Sequence, residues 1–178
     1  MSAAAVAGTV MTQLKTLYEE DIVAWAEQQA DALRNAARTN SNQALDWENL
    51  AEEIGDLAKA YRSSLKSHLR RIIQHLVKLQ HSPAVDPRHG WRRTIRLARI
   101  EIGDLLEESP SLKRGVSALI RNVTAGAIER AIADLEEHDE MNPLMSVVIR
   151  RRPYSEDQVL GDWFPPDPGE PPPSAEKP

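Results

Sequence analysis

From Thr16 to His81 the chain contains one glycine, Gly55, and no proline. Apolar residues recur through this stretch at steps of three and four. Period-two alternation of β-branched residues is absent. That is the signature of amphipathic helix. A chain that runs so far without a breaker has few folds open to it, and helices packed on helices is the simplest.

The pattern predicts four long helices. The first covers about Glu19 to Arg38, with Ile22, Ala26, Ala30, Leu33 and Ala37 on one stripe and a capping box from Thr16 and Glu19. The polar stretch from Thr39 to Leu45 reads as a connection. The second starts at Asp46, a good N-cap, and carries Trp47, Leu50, Ile54, Leu57, Tyr61, Leu65, Leu69, Ile72, Leu76 and Leu79 on one face. Ser82-Pro83 and Asp86-Pro87 stop it. The third runs from about Trp91 to Glu108. Ser109-Pro110 then restarts the chain as a fourth helix reaching about Glu137.

After Asn142-Pro143 the character changes. Leu144 to Ile149 is a short apolar run, either packed on the helices or extended. Ser155-x-x-Gln158 has the form of a capping box for a short helix ending near Gly161. Half the residues from Pro165 to Pro178 are proline, which suits extended, solvated chain. The expected fold is therefore an all-α antiparallel bundle of about four long helices. Residues 1–16 form a flexible lead, 17–140 the bundle, 141–164 an irregular segment packing on it, and 165–178 a disordered Pro-rich tail.

Composition narrows the function classes. The 178 residues are 41% hydrophobic and carry a net charge of −5, so a whole-chain basic footprint for nucleic acid is missing. No cysteine is present, which removes disulfides, zinc-thiolate sites and a cysteine nucleophile. Met1 to Thr12 lacks a basic lead and is broken by Gly8 and Thr9, so it makes a poor signal peptide. No apolar run approaches membrane-spanning length. The expected location is the cytoplasm.

Short connections order the charges by pole. Arg70, Arg71, His75, Lys78, Arg88, Arg92, Arg93, Arg96 and Arg99 gather where the second helix ends and the third begins. The fourth helix should return there with Glu129, Asp134, Glu136, Glu137, Asp139 and Glu140, giving internal neutralisation rather than nucleic-acid binding. The other pole carries Asp46, Glu48, Glu52, Glu53 and Asp56, acids that a helix N-terminus stabilises. The metal candidates are Glu52, Glu53 and Asp56, with Glu27 and Asp31 facing them; carboxylates plus water and phosphates suit magnesium. This resembles the pattern of all-α nucleoside triphosphate pyrophosphatases, E-E-x-x-E followed by E-x-x-D. Glu53-Ile54-Gly55-Asp56 matches the second half, but Gln28 stands where the first half has an acid. His68 and His75 are too far apart along one helix to share an ion. No P-loop, G-x-G-x-x-G, G-x-S-x-G or H-E-x-x-H occurs.

A set of ordered strings resembles the bacterial family called domain of unknown function 29. They are Tyr18-Glu19-x-Asp21 with Trp25; Glu48-Asn49-Leu50-x-Glu52-Glu53-Ile54; His75-Leu76-x-Lys78-x-Gln80; Trp91-x-x-Thr94-Ile95; Ser109-Pro110-Ser111-Leu112; and Pro153-Tyr154-Ser155 with Trp163-Phe164-Pro165. Gly55 and Leu79 depart from it, where the family usually has an acid and commonly an aromatic. The resemblance implies a helical bundle of bacterial origin and no activity. The expectation is a non-catalytic protein-interaction or self-associating bundle, with an unidentified protein or a second copy as partner and no cofactor, catalytic residue or membrane contact. The alternatives are a magnesium-dependent nucleotide hydrolase at the acidic pole and a weak nucleic-acid binder at the basic one.

Overall fold

The computed structural model describes the backbone of residues 3–39 and 45–167, with side chains from Thr12 onward. Every regular element among the described residues is helical: α1 (Ala3–Glu20), α2 (Ile22–Arg38), α3 (Trp47–His81), α4 (Arg88–Glu108), a 3₁₀ segment (Pro110–Gly115), α5 (Val116–Glu137), α6 (Pro143–Arg150) and α7 (Glu156–Leu160). The chain divides into two compact units. One holds Met1–Leu65 and Gly103–Gly115; the other holds Lys66–Ile102 and Val116–Pro178.

In the first unit the expected first helix is two. The backbone is helical from Ala3, where the sequence suggests a flexible lead. Residues 3–7 are alanine and valine, and the lone Gly8 costs about 1 kcal/mol of helix propensity, which does not stop a helix. The break falls at Asp21. Its carboxylate accepts the Ala24 N–H at 2.9 Å and so caps α2. Thr16 does not form the expected box; its hydroxyl donates back to the Thr12 carbonyl inside α1. Asp21 is nearly buried, and it also accepts the Ser111 N–H at 2.6 Å and the Ser111 hydroxyl at 2.9 Å. One carboxylate thus satisfies a helix start and the 3₁₀ segment together.

The buried side of α3 also departs from the predicted stripe here. Leu50 and Leu57 are 40% and 37% exposed, while Ala51 and Ala58 are buried. The facing helix explains this. α2 offers Ala26 and Ala30, and small residues let backbones approach; a Cβ at Gly55 would sit 3.8 Å from that of Ala30.

In the second unit large aliphatic side chains dominate. Leu69, Ile72, Leu76 and Leu79 of α3, Ile95 and Ile102 of α4, and Ile120, Ile128, Ile132 and Leu135 of α5 are all 2% exposed or less. Here the predicted stripe of α3 holds. Back in the first unit, the restart at Ser109-Pro110 begins as 3₁₀ rather than α-helix, and the buried Ser109 hydroxyl has no partner among the described residues. Past the end of α5, Asp139 is held at φ 58 with the Glu140 N–H reaching back to the Leu135 carbonyl; aspartate tolerates this left-handed position. The apolar run after Asn142 is a helix, α6, capped by the Asn142 side chain. The Ser155–Gln158 capping box forms as expected and opens α7. Gly161 closes α7, and there a Cβ would meet the Asp157 carbonyl oxygen at 2.6 Å. Of the Pro-rich tail expected over residues 165–178, residues 168–178 lie outside the described residues. So do residues 40–44 of the polar connection.

Candidate functional site

The acidic candidates sit in the first unit, and Glu27, Asp31 and Asp56 are each paired with a cation. Glu27 pairs with Arg62. Asp31 takes Arg34 Nη1 at 2.8 Å, and Asp56 takes Lys59 Nζ at 2.6 Å. That bond holds the Lys59 ammonium above its ordinary pKa. Glu52 lines an open cleft of about 580 Å³ with Glu48, Arg34, Arg38 and Lys59. Glu53 is exposed. A second cleft, about 420 Å³, alternates Glu27 and Asp31 with Arg34, Lys59 and Arg62 over a floor of Ala30, Gly55 and Ala58. Among the described residues no three His, Asp or Glu side chains are grouped to hold an ion. The five candidates are brought to one region but dispersed among basic groups.

The basic groups lie largely in the second unit, and their partners differ from the sequence expectation. α5 does supply Asp134, which takes Lys78 Nζ and the Gln74 amide, both at 2.7 Å. Burial works to raise the Asp134 pKa, but these two hydrogen bonds and the Lys78 charge lower it overall. Glu129 turns instead to Arg150 of α6, at 2.7 Å. The arginines of α4 are met by the C-terminal segment, not by α5. Arg99 donates to the carbonyls of Gln158, Val159 and Trp163 at 3.0, 3.0 and 2.8 Å. Arg88 Nε and Arg92 Nη2 share Asp167 Oδ1, at 2.7 and 3.0 Å. The Arg88 bond leads in holding the Asp167 carboxyl below its usual range. The Phe164 ring lies against three guanidiniums, those of Arg92, Arg96 and Arg99, at 5.8, 5.3 and 4.8 Å from its centroid.

Histidine does structural work in this unit. His75 faces Lys78 and Arg71 on α3 and Asp134 on α5. Burial leads in pushing its pKa down to about 4. Burial likewise lowers His68 and His81. Tyr154 donates to Gln80 Oε1 at 2.6 Å, and its burial raises its pKa. Trp91 is half-buried beneath Lys78, whose Nζ lies 5.6 Å from the ring centroid.

Residues 17–164 match the family model described as domain of unknown function DUF29. The chain belongs to this family. A crystal structure of an α-helical protein of unknown function from Rhodospirillum rubrum is similar to this DUF29 chain. It shares 26% identity at a TM-score of 0.66, over 83% of this chain and 91% of that one. No curated protein gives a significant match. The family and the solved relative are both of unknown function. No described helix of this DUF29 chain is long and apolar enough to cross a membrane.

Sequence reading missed two residues that organise the units, Asp21 and Asp167. Asp21 carried a signal, an acid three residues before a helical N–H it can cap. Asp167 carried none, because its partners Arg88 and Arg92 lie more than seventy residues away.

Proposed function

We propose that the chain is a non-catalytic cytoplasmic protein that works by binding protein, in the first place a second copy of itself. The observation that carries this reading is α6. Ser146 and Ile149 anchor the helix, while Leu144, Val147 and Val148 are 82%, 47% and 64% exposed. Positions three and four apart on a helix are neighbours, so these three make one patch. Scattered exposed apolar residues need no explanation. Three on one eight-residue helix, with no charge among them, have the composition of an interface core.

Charge supports a second copy as the occupant. Arg93, Leu97 and Ile100 form an exposed stripe on α4 at i, i+4 and i+7, basic at one end and apolar at the other. The chain just before α6 supplies exposed Glu136, Glu137 and Asp139. The α4 stripe of one copy thus suits the acidic and apolar corner of another. The reading includes antiparallel packing of the long helices. Two contacts favour that packing in the second unit: Lys78 lies over Trp91, and Glu101 acts on His68, so α3 and α4 run in opposite senses. The absence of cysteine fits a reducing compartment.

Sedimentation equilibrium from low micromolar to millimolar protein tests the reading. Self-association is expected, abolished in Leu144→Ser/Val148→Ser with helical content unchanged. Arg93→Glu and Glu137→Lys should each weaken it, and mixing the two variants should restore it. A monomer across the whole range would sink self-association.

A further inference from the structure

The basic face of α4 is only partly neutralised. Arg88, Arg92 and Arg96 recur every four residues along one side of the helix. With Val85, His89 and Asp167 they wall an open cavity of about 410 Å³. Among the described residues Asp167 is the one carboxylate in that wall, and its Oδ1 takes Arg88 Nε and Arg92 Nη2. Arg88 is spent: its side chain is 6% exposed, and its other donors reach the Leu79 carbonyl at 2.8 Å and the Ser82 carbonyl at 3.5 Å.

The next two arginines are not spent. Arg92 Nε is buried with no partner. The Arg96 guanidinium has no hydrogen-bond or ion-pair partner among the described residues; it lies against the Phe164 ring, with the Arg99 charge nearby. A guanidinium lying against a ring keeps its in-plane N–H donors for an acceptor. Arg96 also walls the adjoining cavity of about 560 Å³, with Arg99, Ile100, Asp162 and Phe164. One side of the unused donors is therefore charged, and the other offers an apolar surface.

We propose that this cavity binds the phosphate group of a small molecule, seated on the guanidiniums of Arg92 and Arg96. Three guanidiniums against one carboxylate leave an excess of two positive charges in the wall. A phosphate monoester carries about −1.5 to −2 at neutral pH and matches that remainder. A second carboxylate would leave one charge uncompensated. Exposed His89 also lines the cavity. The body of the ligand lies toward Phe164. The chain's net charge of −5 opposes a long polyanion.

The test is titration of the full-length protein with inorganic phosphate, read on the arginine Nε–H resonances, with chloride at equal ionic strength as control. Saturable shifts are expected at Arg92 and Arg96. Arg96→Gln, an exposed position that should not disturb folding, is expected to weaken binding at least tenfold. Arg121→Gln, exposed on α5 and outside the cavity wall, should leave it within twofold. Asp167→Asn removes the competing carboxylate and should tighten phosphate several-fold wherever a melting curve shows the variant folded. Absence of a saturable shift, or a shift that Arg96→Gln leaves unchanged, overturns the site. A short single-stranded RNA that binds far more tightly than phosphate, with a salt dependence of several charges, overturns the small-molecule assignment in favour of nucleic acid.

Discussion

The unit that holds α2 buries four alanines, Ala26, Ala30, Ala51 and Ala58, with Val23, Leu65 and Leu112, whereas the unit that holds α5 buries more than a dozen leucine, isoleucine and valine side chains. The first is joined by small facing residues and by polar junctions, Asp21 with Ser111 and Glu27 with Arg62. The second is joined by apolar volume, with polar groups such as His75 and Asp134 enclosed at its margin. Burial of apolar area scales with side-chain size. The two units therefore depend on different kinds of residue, and each should fail to a different substitution.

The sharpest break is Leu76→Ala. Leu76 is fully buried in the second unit, and a cavity of that kind typically costs about 2–5 kcal/mol. A urea denaturation curve monitored by circular dichroism reads the loss. A change under about 1 kcal/mol would mean that this core is not close-packed.

Next is Asp21→Ala, which removes the α2 cap and both bonds to Ser111. Caps are worth about 0.5–2 kcal/mol, and buried hydrogen bonds to a charged group add to that. A loss of roughly 2 kcal/mol is expected, with increased hydrogen exchange at Ala24 and Ser111. If Asp21→Ala matches wild type, the polar junction does not hold the first unit and the contrast drawn above fails.

The third prediction is a pH dependence of the second unit. His75 titrates at about 4 when folded, against an ordinary value of 6.5. Between those values the unfolded chain binds a proton that the folded chain refuses. The stabilising effect of the neutral ring is therefore complete above pH 6.5 and is lost as pH falls toward 4. Allowing for partial solvent access, the change is on the order of 1–2 kcal/mol. His68 and His81 act in the same direction. Denaturant midpoints at pH 7 and pH 4.5 should differ in wild type and differ less in His75→Gln. An unaltered difference would place the effect elsewhere.

The smallest effect is expected at the acidic residues of α3. Glu53→Gln with Asp56→Asn alters exposed groups, and exposed changes usually stay within about 0.5 kcal/mol. The melting temperature should be unchanged, with or without added magnesium. A magnesium-dependent stabilisation of wild type that the double variant loses would instead gather the dispersed carboxylates into a site.

The all-helical class was legible because breakers are scarce and the apolar period is set by local backbone geometry, which needs no partner. Local chemistry also showed the short C-terminal helix: Ser155 and Gln158 cap each other within one turn. The break at Asp21 was readable in principle, since a carboxylate before a helical stretch is itself a cap signal.

The choice of buried face was not local. Along α3 the leucines read as the inner stripe throughout, and from Leu65 to Leu79 they are. From Leu50 to Leu57 the alanines took that place, facing the alanines that α2 presents. Nor could the sequence pair its charges. It placed Arg88, Arg92, Arg96 and Arg99 on one side of a helix. Which anion meets them depends on where the chain returns some seventy residues later, and only tertiary structure decides that. Coulomb attraction is long-ranged and unspecific, so any acidic segment would have served. Packing of the C-terminal segment put Asp167 and Phe164 on the α4 arginines and left the α5 acids to Lys78, Arg150 and solvent.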